Sequence, residues 1–140
     1  MLIHHLSVRH ILLFLVMHYT AGIILSVVFQ LAHVVPKAEM PLPDENGNMK
    51  HSWAMHQFYT TANFAPTNKF ISWYTGGLNH QVEHHVFPHI SHIHYGKIAK
   101  IVKETALEFN LPYNEYKTTR EAILEHFRQL KSLGDEPLAV

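Results

Sequence analysis

The sequence has no cysteine and no excess of either charge: 11 Lys and Arg stand against 11 Asp and Glu in 140 residues. The absence of cysteine excludes disulfide scaffolds, iron–sulfur clusters and thiolate zinc sites. Any metal bound by this chain must therefore have nitrogen and oxygen ligands. A net charge of zero, with no block of like charges, argues against nucleic-acid binding and against a polybasic membrane-surface protein.

Charged residues are also missing from one long internal run. Residues 11–35, which precede Pro36, contain no Asp, Glu, Lys or Arg. A helix of this length crosses a hydrocarbon core of about 30 Å with some tilt. Buried helices of soluble domains are usually shorter, and a signal peptide has a shorter apolar core. The run predicts a transmembrane helix over residues 11–35, whose orientation is not decided by the single flanking charges Arg9 and Lys37.

The rest of the chain predicts short helices. Residues 53–90 contain two aromatic-rich stretches, WAMHQFYTTANFA and FISWYTGGL, and Trp and Tyr favour the membrane–water interface. Residues 95–134 carry amphipathic patterns typical of soluble helices. We therefore expect an all-α, membrane-attached chain of four or five helices, with one transmembrane helix, interfacial helices and a soluble helical tail.

Two details of the tail can be checked against a structure. In the first tail helix the apolar residues fall on one face, away from the charged ones; they are Ile98, Ile101, Val102, Ala106 and Phe109. Thr118 followed by Glu121 has the spacing of a capping box at the start of the second tail helix. The apolar residues of that second helix are Ala122, Ile123, Phe127 and Leu130.

Histidine is abundant where cysteine is absent: 14 of 140 residues, with the densest stretch LNHQVEHHVFPHISHIHY at residues 78–95. Because His is the commonest metal ligand, this composition indicates metal chemistry. Gln81, His84 and His85 stand at i, i+3 and i+4, which share one face of a helix. His80 and His84 have the spacing of a zinc metalloprotease pair, but Gln81 stands where HExxH needs Glu, so that class fits poorly.

The string GGLNHQVEHHVFPHISHIHY resembles the third histidine box of the membrane fatty acid desaturases. Its QVEHH form is similar to the front-end and linoleoyl-CoA desaturase branch, in which Gln replaces the first His of HxxHH. WAMHQFYTTANFA and HYGKIAKIVKETALEFNLPY are also similar to that branch. The first two boxes of the family, HxxxH and HxxHH, do not appear upstream of the predicted transmembrane helix. The resemblance implies that residues 1–140 are the C-terminal part of a desaturase, and we expect no activity from them alone.

The resemblance also implies a metal centre and its ligands. These desaturases hold two iron ions almost wholly with histidines, on the cytoplasmic side of a helical membrane domain, which implies that the helical tail is cytoplasmic. Gln81, His84 and His85 match the third box. His33 matches the extra histidine that the family places between its second and third boxes, and His56 competes for that role. The residues expected to orient the ligands from behind are Asn79, His80, Glu83 and Tyr95. His89, His92, His94 and His126 are expected mainly at the surface.

The implied reaction introduces a double bond into an acyl chain with O2 and two electrons. The substrate is a fatty acyl-CoA or an acyl-lipid within the membrane, and the electron donor is of the ferredoxin or cytochrome b5 type. Two alternatives stay open: a related di-iron membrane lipid hydroxylase, and a non-catalytic, His-rich membrane protein that binds or buffers metal. Product analysis of a complete chain distinguishes the hydroxylase from a desaturase. The effect of His84→Ala distinguishes the metal-binding protein, which would lose only a fraction of its metal, from a di-iron enzyme, which would lose its activity in the completed protein.

Overall fold

The computed structural model describes residues 7–135 and is mostly helical, with 62% of residues in helices and 3% in strands. The all-α class is therefore confirmed. In the described residues there are six α-helices rather than four or five, because the segment 53–90 divides into three short ones. The elements are α1 Val8–His33, α2 Trp53–Thr60, β1 Asn63–Phe64, α3 Lys69–Tyr74, α4 Gln81–Val86, a 3₁₀ turn His92–His94, α5 Tyr95–Glu108, β2 Glu115–Tyr116 and α6 Thr119–Asp135.

Helix α1 begins three residues before the predicted span and ends two residues before its predicted end. Of the described helices it is the one long and apolar enough to cross a membrane, and none of its most apolar stretch is buried. An apolar helix of 26 residues with an uncovered surface suits lipid rather than a soluble core. Only its last turn is covered, where Leu31 and Ala32 are buried.

The three short helices of residues 53–90 are separated by tight turns. Asn68 caps α3, since its Oδ1 accepts hydrogen bonds from the backbone N–H groups of Phe70 and Ile71. Gly76 and Gly77 follow with φ of 59° and 80°, a left-handed conformation that glycine adopts without a Cβ clash. These turns bring α4 back against α2 and α5. The interfacial location of this segment stays a prediction.

A parallel pair of two-residue strands, which the sequence did not predict, joins this segment to the tail. Asn63 lies opposite Glu115, and Phe64 lies opposite Tyr116. Phe64 and Tyr116 are buried in the same cluster as Leu31 of α1. Two residues are too few to show an alternating pattern, so periodicity could not reveal this pairing. It fixes the tail beside the end of α1.

The predicted tail helices form, but their buried faces are narrower than expected. Within the predicted apolar face of α5, Val102 and Ala106 are buried, whereas Ile101 and Phe109 are 63% and 68% exposed. The reason is that α5 packs on α4 along one stripe only, through Tyr95, Val102 and Ala106.

Helix α6 is covered on one side in the same way. Ala122 is buried, while Phe127 and Leu130 are exposed. Half of the predicted capping box is confirmed: the Glu121 N–H donates to Thr118 Oγ1 at 3.1 Å. The Glu121 carboxylate, however, accepts from the N–H of Lys117 and not from that of Thr118.

Candidate metal centre

Three histidine rings from two distant parts of the chain meet beside the end of α1. His33 is the last residue of α1, and His84 and His85 lie on α4. The ring centroids of His33 and His85 are 4.9 Å apart, and those of His84 and His85 are 5.6 Å apart. Both pairs meet edge to face, and all three side chains are half-buried. The structure therefore brings the predicted extra histidine to the predicted box.

Each of the three rings is held through its Nδ1 atom. His33 Nδ1 donates to the carbonyl of Thr60 at 3.3 Å, and His85 Nδ1 donates to Oε1 of Gln57 at 3.0 Å. His84 Nδ1 lies 3.1 Å from the hydroxyl of Tyr95. Because a carbonyl oxygen only accepts, the proton of His33 and His85 resides on Nδ1 and the lone pair of Nε2 is available. Metal-binding histidines are oriented in this way by a partner on the second ring nitrogen.

Two of these partners, Gln57 and Thr60, were not predicted from the sequence. Both lie on α2, where Gln57 contributes its side-chain oxygen and Thr60 its backbone carbonyl. Gln57 is buried, and its amide also donates to the carbonyl of Trp53. A backbone carbonyl leaves no sequence signal, and nothing local in WAMHQFYTT connects Gln57 to a histidine 28 residues away.

Gln81, which matches the first position of the third box, is fully buried. Among the described residues neither Oε1 nor Nε2 of its amide has a hydrogen-bond partner. Leaving a buried polar group unpaired costs about 1–3 kcal/mol. A side chain in this state fits a role as a ligand, since a bound ion would satisfy its oxygen.

His56 is the competing candidate for the extra ligand. It lies on α2, half-buried, and its backbone carbonyl accepts a 2.9 Å hydrogen bond from Thr60 Oγ1. In the part of the chain that the structure describes, the ring of His33 contacts a box histidine and that of His56 does not. The geometry favours His33.

Burial and neighbouring rings keep His85 neutral. Burial, followed by the proximity of His33 and then His84, lowers the pKa of His85 to about 4. A neutral imidazole is the form that binds a metal. Burial also raises the pKa of Tyr95, so its hydroxyl keeps its proton beside His84.

Glu83, expected to orient the ligand histidines, instead anchors the helix that carries them. Its carboxylate is fully buried, and it accepts from the Tyr113 hydroxyl at 2.7 Å and from Asn63 Nδ2 at 2.9 Å. Asn63 Oδ1 in turn accepts from the backbone N–H of Val82 at 2.9 Å. His80 Nδ1 lies 3.7 Å from the same carboxylate. Asn63 and Tyr113 were missed in the sequence because they lie 20 and 30 residues from Glu83.

Asn79 has a similar anchoring role. Its Nδ2 donates to the backbone carbonyl of Ala65 and to Ser72 Oγ, and its backbone carbonyl accepts from the backbone N–H of Phe64. Of the four residues expected behind the ligands, Tyr95 contacts a box histidine. Asn79 and Glu83 hold the start of α4 in place, whereas the buried His80 ring makes no hydrogen bond through Nδ1 among the described residues.

Within residues 7–135 no group of three or more His, Cys, Asp or Glu side chains is arranged so that it could hold a metal ion unaided. The three histidines and Gln81 therefore amount to part of a coordination shell at most. Their donor set, imidazole nitrogen with amide oxygen, suits iron.

The chain belongs to the fatty acid desaturase family, whose model matches residues 1–117. It is 45% identical over 120 residues to the sn-1 linoleoyl-lipid 6-desaturase of Synechocystis sp., which covers 85% of this chain and 33% of that protein. It is 44% identical over 113 residues to the acyl-lipid (8-3)-desaturase of Physcomitrium patens, and this match covers 81% of this chain and 23% of that protein. No solved structure matches significantly. The chain spans about a third of the length of this Synechocystis protein and of the enzyme of the same name from Arthrospira platensis.

Family membership confirms the resemblance carried by the histidine box. The family is membrane-associated, and this chain supplies one exposed apolar helix that is long enough to span a bilayer. The relatives named here are desaturases of acyl-lipids.

Proposed function

We propose that this chain supplies the third-box part of a di-iron centre in a membrane acyl-lipid desaturase. The observation that carries the proposal is the convergence of His33, His84 and His85, each with its Nδ1 occupied by a protein partner. Their Nε2 atoms and Oε1 of Gln81 are the proposed iron ligands. Further histidines, from the family's first two boxes, which do not stand before α1 in this sequence, complete the centre, so residues 1–140 alone do not desaturate lipid.

The proposed reaction removes one hydrogen from each of two adjacent methylenes and reduces O2 to two waters. Two electrons come from a donor of the ferredoxin or cytochrome b5 type and two protons from solvent, and bound iron would supply the activation of O2. In this scheme Thr60, Gln57 and Tyr95 orient the ligand rings, and burial keeps His85 neutral. The metal-binding side is cytoplasmic, so α1 runs inwards from the outer face and His33 lies at its inner end.

A chimaera tests this function in a complete enzyme. The matched third of the Synechocystis relative is replaced by the corresponding residues of this chain and expressed in a host that lacks the product. We expect a new double bond in the acyl chains, detected by mass spectrometry of derivatised fatty acids. His84→Ala is expected to abolish it, whereas His89→Ala, an exposed histidine of the same segment, is expected to leave it.

Other products would contradict the proposal in distinct ways. A hydroxylated chain without a new double bond would indicate the related hydroxylase. A double bond that survives His84→Ala would remove that histidine from the centre. A double bond made by residues 1–140 alone would contradict the need for further histidines.

A further inference from the structure

A cavity whose lining is largely apolar lies beside the start of α4, separate from the three histidine rings of the metal centre. It has a volume of about 480 Å³ and is open to solvent on one side. No Asp or Glu is among the described residues that line it. The lining residues that matter here are Lys69, Ser72 and Trp73 of α3, His80 before α4, His92 of the 3₁₀ turn, and Gly96 of α5.

The surroundings of this cavity are cationic. A second cavity of about 390 Å³ shares Pro66 and Thr67 with it and adds Lys103, Lys117 and Glu115. Glu115 is already paired with Lys103. With histidines neutral, three lysines stand against one carboxylate around the two cavities. This charge balance favours an anionic ligand.

A buried histidine forms part of the cavity wall. His80 is only 3% exposed; its Nδ1 has no hydrogen-bond partner among the described residues and lies 3.7 Å from the Glu83 carboxylate, so Nε2 is the ring nitrogen nearer α5. A Cβ built on Gly96 would lie 3.8 Å from His80 Nε2, so the absence of a side chain at Gly96 leaves space between that nitrogen and the backbone of α5. The rim is apolar, because Trp73 and Ile93 are 76% and 67% exposed. A cationic pocket with an apolar rim suits the head of an amphiphile.

We propose that this cavity binds a phosphate group of the acyl carrier, from either a phospholipid headgroup or coenzyme A. The inference rests on the proposed function and names the substrate's polar end. Tyr95 connects the two sites, since its hydroxyl contacts His84 and its Cδ2 would lie 3.4 Å from a Cβ on Gly77, which lines the cavity. A carrier held here therefore sits next to the histidine box.

Fluorescence of a single tryptophan tests the proposal on the full chain. The sequence has two Trp, so Trp53→Phe leaves Trp73, at the cavity rim, as the only reporter. The protein is placed in nanodiscs of an uncharged galactolipid and titrated with coenzyme A and with glycerol 3-phosphate. A second set of nanodiscs contains increasing phosphatidylglycerol. We expect a saturable change in Trp73 emission with at least one phosphate-bearing probe.

Three substitutions, each with this cavity as its target, are expected to weaken that response. Lys69→Gln removes a positive charge and His92→Leu removes an N–H donor, and each should raise the dissociation constant about tenfold, because charge-assisted hydrogen bonds to phosphate are the strong class. Gly96→Met should abolish binding by filling the cavity. It should not unfold α5, because Met is a better helix former than Gly. The matched controls Lys131→Gln and His89→Leu, which do not line the cavity, should bind as the parent does.

The outcomes separate the two phosphate sources and the two proposals. Saturation by coenzyme A in galactolipid discs assigns a soluble carrier, and a response to phosphatidylglycerol alone assigns a lipid headgroup. No response to any phosphate probe, or a response unchanged by both Lys69→Gln and Gly96→Met, overturns the proposal. Metal binding at His84 is measured separately, so loss of the phosphate site with metal binding intact would leave the proposed function standing.

Discussion

The hydroxyl of Tyr113 donates a 2.7 Å hydrogen bond to Oε1 of Glu83, thirty residues earlier in the chain. The other carboxylate oxygen accepts from Asn63 of β1, and Asn63 Nδ2 also lies 2.9 Å from the Tyr113 hydroxyl. The tail and β1 are thus joined to α4 through one buried carboxylate. We infer that the tail after α5 positions the histidine box as well as covering it.

Tyr113→Phe removes one donor and leaves Oε1 of Glu83 buried without its partner. We expect the free energy of unfolding to fall by about 1–3 kcal/mol, the cost of an unsatisfied buried acceptor. Denaturant unfolding followed by circular dichroism measures it. Tyr74→Phe, at an exposed position, is the control and should change stability little. Equal stability of the two variants would contradict the anchoring role.

The same tyrosine predicts a dependence on alkaline pH. Burial, and then the charge of Glu83, raise the pKa of Tyr113 far above its ordinary value of 10. The unfolded chain ionises near pH 10 while the folded chain does not, so this contribution is full below pH 10 and is lost as the pH rises further. The stability of the wild-type chain should therefore fall more steeply above pH 10 than that of Tyr113→Phe. Parallel slopes in the two proteins would show that Tyr113 ionises normally.

Gln57 is expected to act on the metal through His85. Gln57→Leu removes the acceptor of the His85 Nδ1 proton, and loss of such partners typically lowers metal affinity 10–100-fold. Competition of the chimaera against a chelator measures the affinity for ferrous iron. Gln129→Leu, on α6 and away from the centre, serves as the control. Unchanged affinity in Gln57→Leu would mean that the hydrogen bond does not orient a ligand.

The two candidates for the extra ligand differ in their expected effect on iron content. His33→Ala in the chimaera should lose iron and desaturation together, because its ring is the one that meets His85. His56→Ala should retain most of both. Iron is counted per protein after purification. The reverse result would assign the ligand to α2 and not to the end of α1.

Local sequence patterns predicted the helices of this fold well, but they did not predict which residues contact each other across the fold. The charge-free run predicted α1, and the spacing of Gln81, His84 and His85 placed them on one helix, as found. Pairings across long stretches of sequence left no local trace. Tyr113 reaches Glu83 in this way, and His126, expected at the surface, is half-buried with its Nδ1 donating to the carbonyl of Val34, 92 residues away.

The predicted apolar faces of the tail helices are only partly buried, for a related reason. An amphipathic pattern shows which residues are apolar, but the number of elements that pack against the helix decides how many of those residues are buried. Ile101 and Phe109 are exposed because α5 has packing partners along one stripe only.

Nitrogen-15 NMR of the histidine rings tests the central claim most directly. The chimaera, labelled at both histidine ring nitrogens and held in detergent, is titrated with Zn²⁺ as a diamagnetic substitute for ferrous iron, and single variants assign the resonances. We predict that before metal His33 and His85 carry the proton on Nδ1. The first equivalent should then shift the Nε2 resonances of His33, His84 and His85 together. Shifts spread over His89, His92 and His94 instead would contradict a shared centre and indicate a loose, His-rich metal binder.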